Sequence, residues 1–325
     1  MTAPSRRARE RHRVPEKSLG VLCRQRTEVD RFELMAAECA TTAITRMARL
    51  LEVSTSGYYK HAHRSTATEL TDRRQRKADL TVKIITHHRD SGGTYGSPRI
   101  TADLRAAGEA VSEKTVATIM AEIGLAGISP RTFKVATTVV DPKASFPPDL
   151  VERHFDQGRP DAVWSSDITY LTCGEGDMYL CAIRDEHSKR VLGWSVADHM
   201  RTELVTDALA AAVAVRGGQV SGTIIHSDRG TQYTAAAMAQ ACADAGLRRS
   251  MGATGICWDN SGAESLWSTF KHEYYYRHTF ATMSELIAAV DKWMYFYNTQ
   301  RRHSTIGMLS PIAYEQSLTA VTQAA

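Results

Sequence analysis

The stretch IIHSDRGTQY, residues 224–233, begins as an apolar strand and ends in a charged loop that carries Asp228. Beyond a predicted helix and a short strand comes SMGATGICWDNSGAESLWSTFKHE, residues 250–273, which places Glu264 in the first turns of another predicted helix. Upstream, the predicted strand AVWSSDITYL carries Asp167 in its middle. A sheet would bring these three carboxylates together, and carboxylate oxygens are ligands that Mg²⁺ and Mn²⁺ prefer. The three residues are therefore candidate metal ligands.

The spacing of the last two carboxylates resembles a known signature. Asp228 and Glu264 have 35 residues between them. Together with HSDRGTQY, DNSGAES and the later lysine, this gap resembles the DD(35)E motif of retroviral-integrase-like transposases, and most closely the OrfB-type transposases of bacterial insertion sequences. The resemblance continues in YNTQRRHSTIGMLSPIAYE at 297–315, and it includes VSTSGYYKH at 53–61 and TYGSPRI at 94–100. It thus extends over most of the chain.

The order of predicted elements in the second half is compatible with that family. Alternating and β-branched residues predict strands, and apolar residues at helical spacing predict helices. In chain order these are strands at 162–172, 178–185 and 190–197, a helix at 202–215, a strand at 223–227, a helix at 234–245, a strand at 247–251 and a helix at 261–277. Together with the resemblance, this order predicts an α/β fold class: a ribonuclease-H-like (integrase) catalytic core preceded by an all-α, helix-turn-helix-like region.

The first half of the chain is predicted to be helical. Ile44, Met47, Ala48 and Leu51 form one apolar helix face, and Ser54 is a suitable N-cap for a following short helix. Two short helices around a tight turn are compatible with a helix-turn-helix, and also with any small helical bundle.

A second candidate helix-turn-helix follows at ITADLRAAG and SEKTVATIMAEIGLAG, residues 100–108 and 112–127. Its expected core is Ile100, Leu104, Val116, Ile119, Met120 and Ile123. Lys114 lies on the first turn of its second helix, where base edges are usually contacted, so it is a candidate DNA-binding residue. The alternative is a helical spacer that only positions the catalytic core.

Composition and charge suggest how the chain is divided. Residues 1–150 carry 25 Lys and Arg against 17 Asp and Glu, whereas the remainder is slightly acidic. This asymmetry fits a DNA-binding half joined to a carboxylate site. The predicted segments are a basic flexible arm at 1–31, a helical DNA-binding region at 32–135, a linker at 136–158, a catalytic core with a C-terminal helix at 159–318, and a tail at 319–325.

Several classes of protein are disfavoured by the sequence. No apolar run approaches the roughly 20 residues that span a bilayer, and the basic N-terminus lacks the apolar segment of a secretory signal. A cytoplasmic, nucleoid-associated protein without membrane contact is therefore expected. The six cysteines show no CxxC pair, and the adjacent His87 and His88 have no matching cysteine pair nearby. A zinc module is not expected.

The resemblance implies roles for the site residues. Asp167, Asp228 and Glu264 would be catalytic and would bind two ions of Mg²⁺ or Mn²⁺. Lys271 is seven positions after Glu264, so both lie on one helix face, and it would hold a DNA phosphate unless it is simply a solvated lysine. Asn260 would cap this helix or contact DNA, and capping is the safer interpretation.

Further candidates flank the motifs. His226 and Gln232 lie on either side of Asp228 and would orient it or contact DNA. Arg301 and Arg302, in the loop YNTQRRHS, would contact DNA or cap the preceding C-terminal helix.

The predicted function is that of a DNA transposase of an insertion sequence, which cleaves and transfers strands at the element ends in a metal-dependent reaction. Its partners would be the terminal inverted repeats, target DNA and further copies of itself on DNA. OrfB-type proteins commonly work as a fusion with an upstream OrfA, so an OrfA-type product or an OrfAB fusion is also expected. The alternatives are a DNA-binding or regulatory OrfB fragment that is inactive without OrfA, and a ribonuclease-H-like nuclease.

Overall fold

The computed structural model describes residues 27–40, 42–66, 71–128, 146–252 and 261–324. The chain forms two compact units, Met1–Asp79 and Leu80–Ala325. Most of the predicted basic arm, much of the predicted linker and Asn260 lie outside the described residues.

Between residues 27 and 66, the described part of the first unit forms α1 (Glu28–Glu38), α2 (Ile44–Leu50) and α3 (Thr55–Thr66). Met47 and Ala48 of the predicted apolar face are buried against Phe32 of α1. The predicted cap is also present, because Oγ of Ser54 accepts a hydrogen bond from the backbone N–H of Gly57 at 2.9 Å. The predicted pair of helices is therefore found, with α1 packed against it as a third.

Three further helices follow in the chain: α4 (Asp72–Asp90), α5 (Ser97–Ala106) and α6 (Glu113–Glu122). Ser112 caps α6, accepting from the backbone N–H of Thr115 at 3.1 Å. Gly108 and Gly124 end the two helices with φ of 87° and 70°, which glycine adopts without strain. The predicted core is buried except at Ile123, which is 37% exposed because it lies beyond the last turn of α6.

The second unit is built on a five-stranded sheet flanked by helices. Its elements are β1 (Val163–Cys173), β2 (Gly176–Asp185), β3 (Val191–Ala197), α7 (Thr202–Val215), β4 (Ile224–Ser227), α8 (Thr231–Thr234), α9 (Ala236–Asp244), β5 (Arg248–Met251), α10 (Ser261–Glu273), α11 (Met283–Thr299) and α12 (Pro311–Ala324). The sheet order is β3-β2-β1-β4-β5. Strand β2 pairs antiparallel with both β1 and β3, whereas β4 pairs parallel with both β1 and β5. The predicted α/β fold is confirmed.

The sheet is covered on both faces because its buried strands carry apolar residues on both sides. Cys181 and Ile183 of β2 pack in a cluster with α7 and α9. Leu180 and Ala182, which point the other way, pack in a second cluster with α10 and α11. The sheet is therefore a rigid platform whose central strand is β1.

Some predicted boundaries differ from the structure. The helix predicted at 234–245 is interrupted at Ala235, whose ψ of 146° is extended and separates α8 from α9. The helix predicted at 261–277 ends at Glu273 and is followed by a short 3₁₀ turn, Tyr275–Arg277. The tail predicted at 319–325 is helical up to Ala324, as part of α12.

The second candidate helix-turn-helix, α5 and α6, shares one unit with the sheet, although the sequence predicts a linker between them. The backbone N–H of Arg302 donates to Oη of Tyr95 at 2.8 Å, and Nη1 of Arg99 lies 3.3 Å from Oε1 of Glu273. Helix α5 is thereby joined to the C-terminal part of the chain. Among the described residues, no helix combines the length and apolarity needed to cross a bilayer.

Candidate active site

The register of the sheet brings Asp167 and Asp228 together. Strands β1 and β4 pair in parallel, with Val163 opposite Ile224 and Ser165 opposite His226. Asp167 follows Ser165 by two positions, and Asp228 follows His226 by two. Continuing the register therefore sets the two carboxylates side by side, where β4 has just ended.

Helix α10 brings the third carboxylate to the same strand. Nε1 of Trp267 donates a hydrogen bond to Oδ2 of Asp167 at 3.2 Å, which fixes one face of α10 to β1. Glu264 lies one turn before Trp267, and Lys271 lies one turn after it, so all three belong to this face. The helix thus places Glu264 and Lys271 on the face that packs against the middle of β1, where Asp167 lies.

The pKa of Asp167 is raised by its burial and by the two neighbouring carboxylates. This pKa is raised to about 7, first by burial and then by the charges of Asp228 and Glu264. Hydrogen bonds from the backbone N–H of Ile168 and from Trp267 act in the opposite direction. A carboxyl that resists ionisation beside two others is a site that a cation would stabilise.

The neighbouring groups show the same influence of burial. Burial raises the pKa of Asp228, against a hydrogen bond from the backbone N–H of Gly230 at 3.0 Å, and burial also raises the pKa of Glu264. The pKa of Lys271 is lowered by burial, while the negative charge of Asp167 favours its protonated form. Lys271 is therefore a partly desolvated ammonium group that interacts with the carboxylates.

The donor set fits a hard divalent cation in its chemistry. It consists of carboxylate oxygens only, which suits Mg²⁺ or Mn²⁺. In the described ranges, no three His, Cys, Asp or Glu side chains are arranged as a metal site. Both oxygens of Asp167 accept hydrogen bonds, from Ile168 and from Trp267, and Glu264 is exposed. The backbone brings the three residues to one place, and coordination would require their side chains to reorient.

The buried carboxylate of Glu186 contacts both β1 and α10, the elements that carry Asp167 and Glu264. Glu186 is 1% exposed and accepts hydrogen bonds from Nε and Nη2 of Arg184 and from Oγ of Ser165, two positions before Asp167. It also lies against Gly262, where an added Cβ would be 2.3 Å from its Oε1. Gly262 thus permits the close approach of α10 to the sheet.

The sequence does not reveal the roles of Glu186 and Trp267. Nothing in the spacing of Glu186 marks it, and a tryptophan in an amphipathic helix indicates a core residue. Trp267 is indeed 6% exposed, yet its indole N–H binds Asp167. Its position one turn after Glu264 is the signal that could have found it.

Two residues that flank Asp228 have partners elsewhere. His226 is 1% exposed, and its Nδ1 lies 2.9 Å from Oγ of Ser250 on β5. Nε2 of Gln232 donates to the backbone carbonyl of Met200 at 2.9 Å. These contacts tie the loop around Asp228 to β5 and to the segment that precedes α7.

The arginines of the C-terminal loop, Arg301 and Arg302, bind groups within the protein. Arg301 is 4% exposed and binds Glu273 through Nε at 2.7 Å and Nη2 at 2.6 Å. Arg302 binds Asp103 and donates to the backbone carbonyl of Met308 at 2.7 Å. These contacts favour a structural role over a DNA contact for both. Lys114, in contrast, is exposed on the first turn of α6, as expected of a residue that meets DNA.

Comparison with known proteins identifies related families. Profiles of the integrase core domain match residues 157–257 and 245–311, and the profile of an HTH-like domain matches residues 74–133. The chain is 34% identical over 280 residues to transposase InsF for insertion sequence IS3A of Escherichia coli (strain K12), covering 85% of this chain and 95% of that protein. It is 31% identical over 278 residues to an IS986/IS6110 insertion-sequence protein of Mycobacterium tuberculosis (strain ATCC 25618 / H37Rv), covering 84% and 98%.

Proposed function

The chain belongs to the insertion-sequence transposases with an integrase core, and on that basis we propose that it cuts and joins DNA strands at Asp167, Asp228 and Glu264. The observation that carries the proposal is the convergence of these residues. The parallel register of β1 and β4, extended by two residues, supports the pairing of the two aspartates, and the hydrogen bond from Trp267 to Asp167 supports the position of the helix that carries Glu264.

The reaction is a phosphoryl transfer that needs no covalent protein–DNA intermediate. The three carboxylates would hold two Mg²⁺ or Mn²⁺ ions, which lower the pKa of an attacking oxygen and neutralise charge on the phosphate. Water as the nucleophile leaves a free 3′-hydroxyl at the element end. That hydroxyl, as the next nucleophile, would attack a phosphodiester of target DNA, so that a new P–O bond forms, the target P–O bond breaks and a target 3′-hydroxyl leaves.

Other residues support this chemistry without binding the ions. Trp267 orients Asp167 through its indole N–H. Lys271, on the Glu264 face of α10, offers its ammonium group to a non-bridging phosphate oxygen. The helices α5 and α6 would bind the terminal inverted repeat, with Lys114 at the DNA surface. Assembly on DNA as a homo-multimer and with an OrfA-type product belongs to the same proposal.

The test is end cleavage on a duplex that carries the terminal repeat of the element, with the OrfA-type product added where the element encodes one. Wild-type protein is compared with Glu264→Gln in Mg²⁺, in Mn²⁺ and in EDTA. Glu203→Gln is the matched control, because Glu203 is an exposed glutamate in the first turn of another helix, α7.

Cleavage at the repeat boundary should require the metal, disappear in Glu264→Gln and persist in Glu203→Gln. Cleavage that survives Glu264→Gln would remove Glu264 from the active site. Binding to the repeat without cleavage under any condition would favour a regulatory DNA-binding protein instead.

A further inference from the structure

A cavity of about 430 Å³ lies on the face of α10 that points away from Glu264. Gly262, Ser265 and Thr269 line it, and their spacing of three and four positions places them on one side of the helix. Glu264 and Trp267 occupy the other side. The cavity is therefore close to the candidate active site in the chain but separate from it in space.

Cationic side chains dominate the wall of this cavity, which we call the arginine cavity. Its charged lining residues are the cations Arg99, Arg153, Arg184, Lys189 and Arg301 and the carboxylates Asp156 and Glu186. Glu186 is shared between two of the cations, Arg184 and Lys189. Asp156 is bound to His187, with Nδ1 and Oδ1 2.7 Å apart. Positive charge thus exceeds negative charge on the wall.

Glu273 is a second carboxylate that two cations of the cavity share, so it also leaves an excess of positive charge. Oε1 of Glu273 lies 3.3 Å from Nη1 of Arg99 and 2.6 Å from Nη2 of Arg301. Both guanidinium groups also line the cavity, so one carboxylate serves two of its cations. Because each shared carboxylate neutralises only one of its two partners, the wall retains unneutralised positive charge.

Burial and the positive charge of the wall lower the pKa of His303. This residue lines the cavity, and its pKa is lowered to about 2 by burial and by the charges of Arg301, Arg184, Arg99 and Lys189. Its ring accepts hydrogen bonding from Nη1 of Arg301, 3.2 Å from Nε2. The imidazole is thus held neutral, and an anion in the cavity would offset the surrounding charge.

Hydroxyl groups complete the wall. Ser265, Thr269, Ser304 and Thr305 line the cavity, and across the described ranges their hydroxyls make no side-chain hydrogen bond. Hydroxyls and guanidinium groups are the side-chain donors that commonly bind DNA phosphates. The cavity therefore offers both charge and donors suited to a phosphate oxygen.

We propose that the arginine cavity binds a backbone phosphate of the DNA that this transposase handles, on the side of α10 opposite the active site. The inference rests on the proposed function for the identity of its ligand as DNA. A DNA strand held there would anchor α10 from one side while its other face meets the reacting phosphate. A free nucleotide or inorganic phosphate shares the same chemistry and is distinguished below.

The test measures DNA affinity against salt concentration, in EDTA so that no cleavage occurs. Arg153→Gln removes one cation from the wall, and Thr305→Glu adds a negative charge to it. Arg159→Gln is the matched control, because Arg159 is also exposed and lies six positions away without lining the cavity. Thermal unfolding of each variant shows whether its fold is intact, and a further arm measures unfolding of the wild type with dAMP or inorganic phosphate.

Affinity falls as salt rises, and each phosphate contact makes the slope of log affinity against log salt concentration more negative by about 0.9. The slope should become less negative by about that amount in Arg153→Gln and in Thr305→Glu and should be unchanged in Arg159→Gln. Wild-type slopes in both cavity variants would overturn the proposal. Stabilisation by dAMP or phosphate together with unchanged slopes would likewise overturn it in favour of a free anion. Because this readout needs no cleavage, absent cleavage with altered slopes would count against the proposed function alone.

Discussion

Replacing Gly262 by alanine tests how closely α10 must approach the sheet. The new Cβ would lie 2.3 Å from Oε1 of Glu186, 2.7 Å from its Cδ and 2.9 Å from its Oε2. The carboxylate has little freedom to move away, because Arg184, Ser165 and Lys189 hold it in a buried position. Either the first turn of α10 shifts by about 1 Å, or Glu186 gives up its partners.

The expected size of the effect follows from two opposing contributions. Alanine inside a helix is ordinarily more stable than glycine by about 0.5–1 kcal/mol. Forcing a methyl group into a packed site costs about 1–3 kcal/mol. The free energy of unfolding should therefore fall by about 0.5–2 kcal/mol, which leaves most of the protein folded.

Catalysis should suffer much more than stability. Glu264 is two positions after Gly262, so a shift of the first turn moves its carboxylate relative to Asp167. A misplacement of about 1 Å in a reacting constellation lowers the rate on the order of 100-fold. At saturating DNA and metal, the cleavage rate of the variant should accordingly fall by much more than its loss of folded protein explains.

The assay combines urea unfolding with end cleavage for the wild type, Gly262→Ala and a control. Gly96→Ala is that control, because Gly96 has a φ of −89° and its added Cβ would meet nothing closer than 3.8 Å. It should cost at most about 1 kcal/mol as a changed helix cap and leave cleavage intact. A Gly262→Ala protein as stable and as active as the wild type would refute the close approach of α10 to Glu186.

Three further substitutions test separate contacts. Trp267→Phe removes the donor to Asp167, so cleavage should fall several-fold while the free energy of unfolding, measured in urea, falls by about 1–2 kcal/mol. Lys114→Gln should lower the salt slope of repeat binding by about 1 without changing the melting temperature, and an unchanged slope would remove Lys114 from the DNA surface. Burial opposes ionisation of Glu315, but hydrogen bonds from Arg216 and Arg190 outweigh it and lower the pKa below 4.5. This stabilisation is complete above pH 4.5 and is lost as the pH falls through the folded-state pKa. Urea unfolding at several pH values should therefore show Glu315→Gln less stable by about 2–3 kcal/mol at pH 7, with a difference that shrinks in acid; a constant difference would contradict the pairing.

Much of the fold could be predicted because its signals are local. The helix predicted at 202–215 has those bounds in the structure, and the cap at Ser54 follows from the chemistry of the serine side chain. The strands β1 to β5 were each found within two residues of their predicted bounds. The interruption at Ala235 was not predicted, because alanine carries no signal for a helix break.

The candidate site could be predicted only as a set of carboxylates. The spacing of Asp228 and Glu264 marks them, but the contacts that hold them depend on residues distant in the chain. Arg301 illustrates the limit: its motif suggests a DNA contact, whereas tertiary packing pairs it with Glu273, 28 positions away. Sequence alone does not show which arginines face solvent and which form ion pairs with buried carboxylates.

The direct test of the central claim is the binding of Mn²⁺ to the protein on its end DNA, measured by calorimetry or electron paramagnetic resonance. Asp167→Asn, Asp228→Asn and Glu264→Gln are compared with the wild type and with the control Glu203→Gln. If the three carboxylates form one metal site, each of the three substitutions weakens Mn²⁺ binding and abolishes cleavage, while the control does neither. Wild-type Mn²⁺ binding in all three variants would contradict a metal site at these residues.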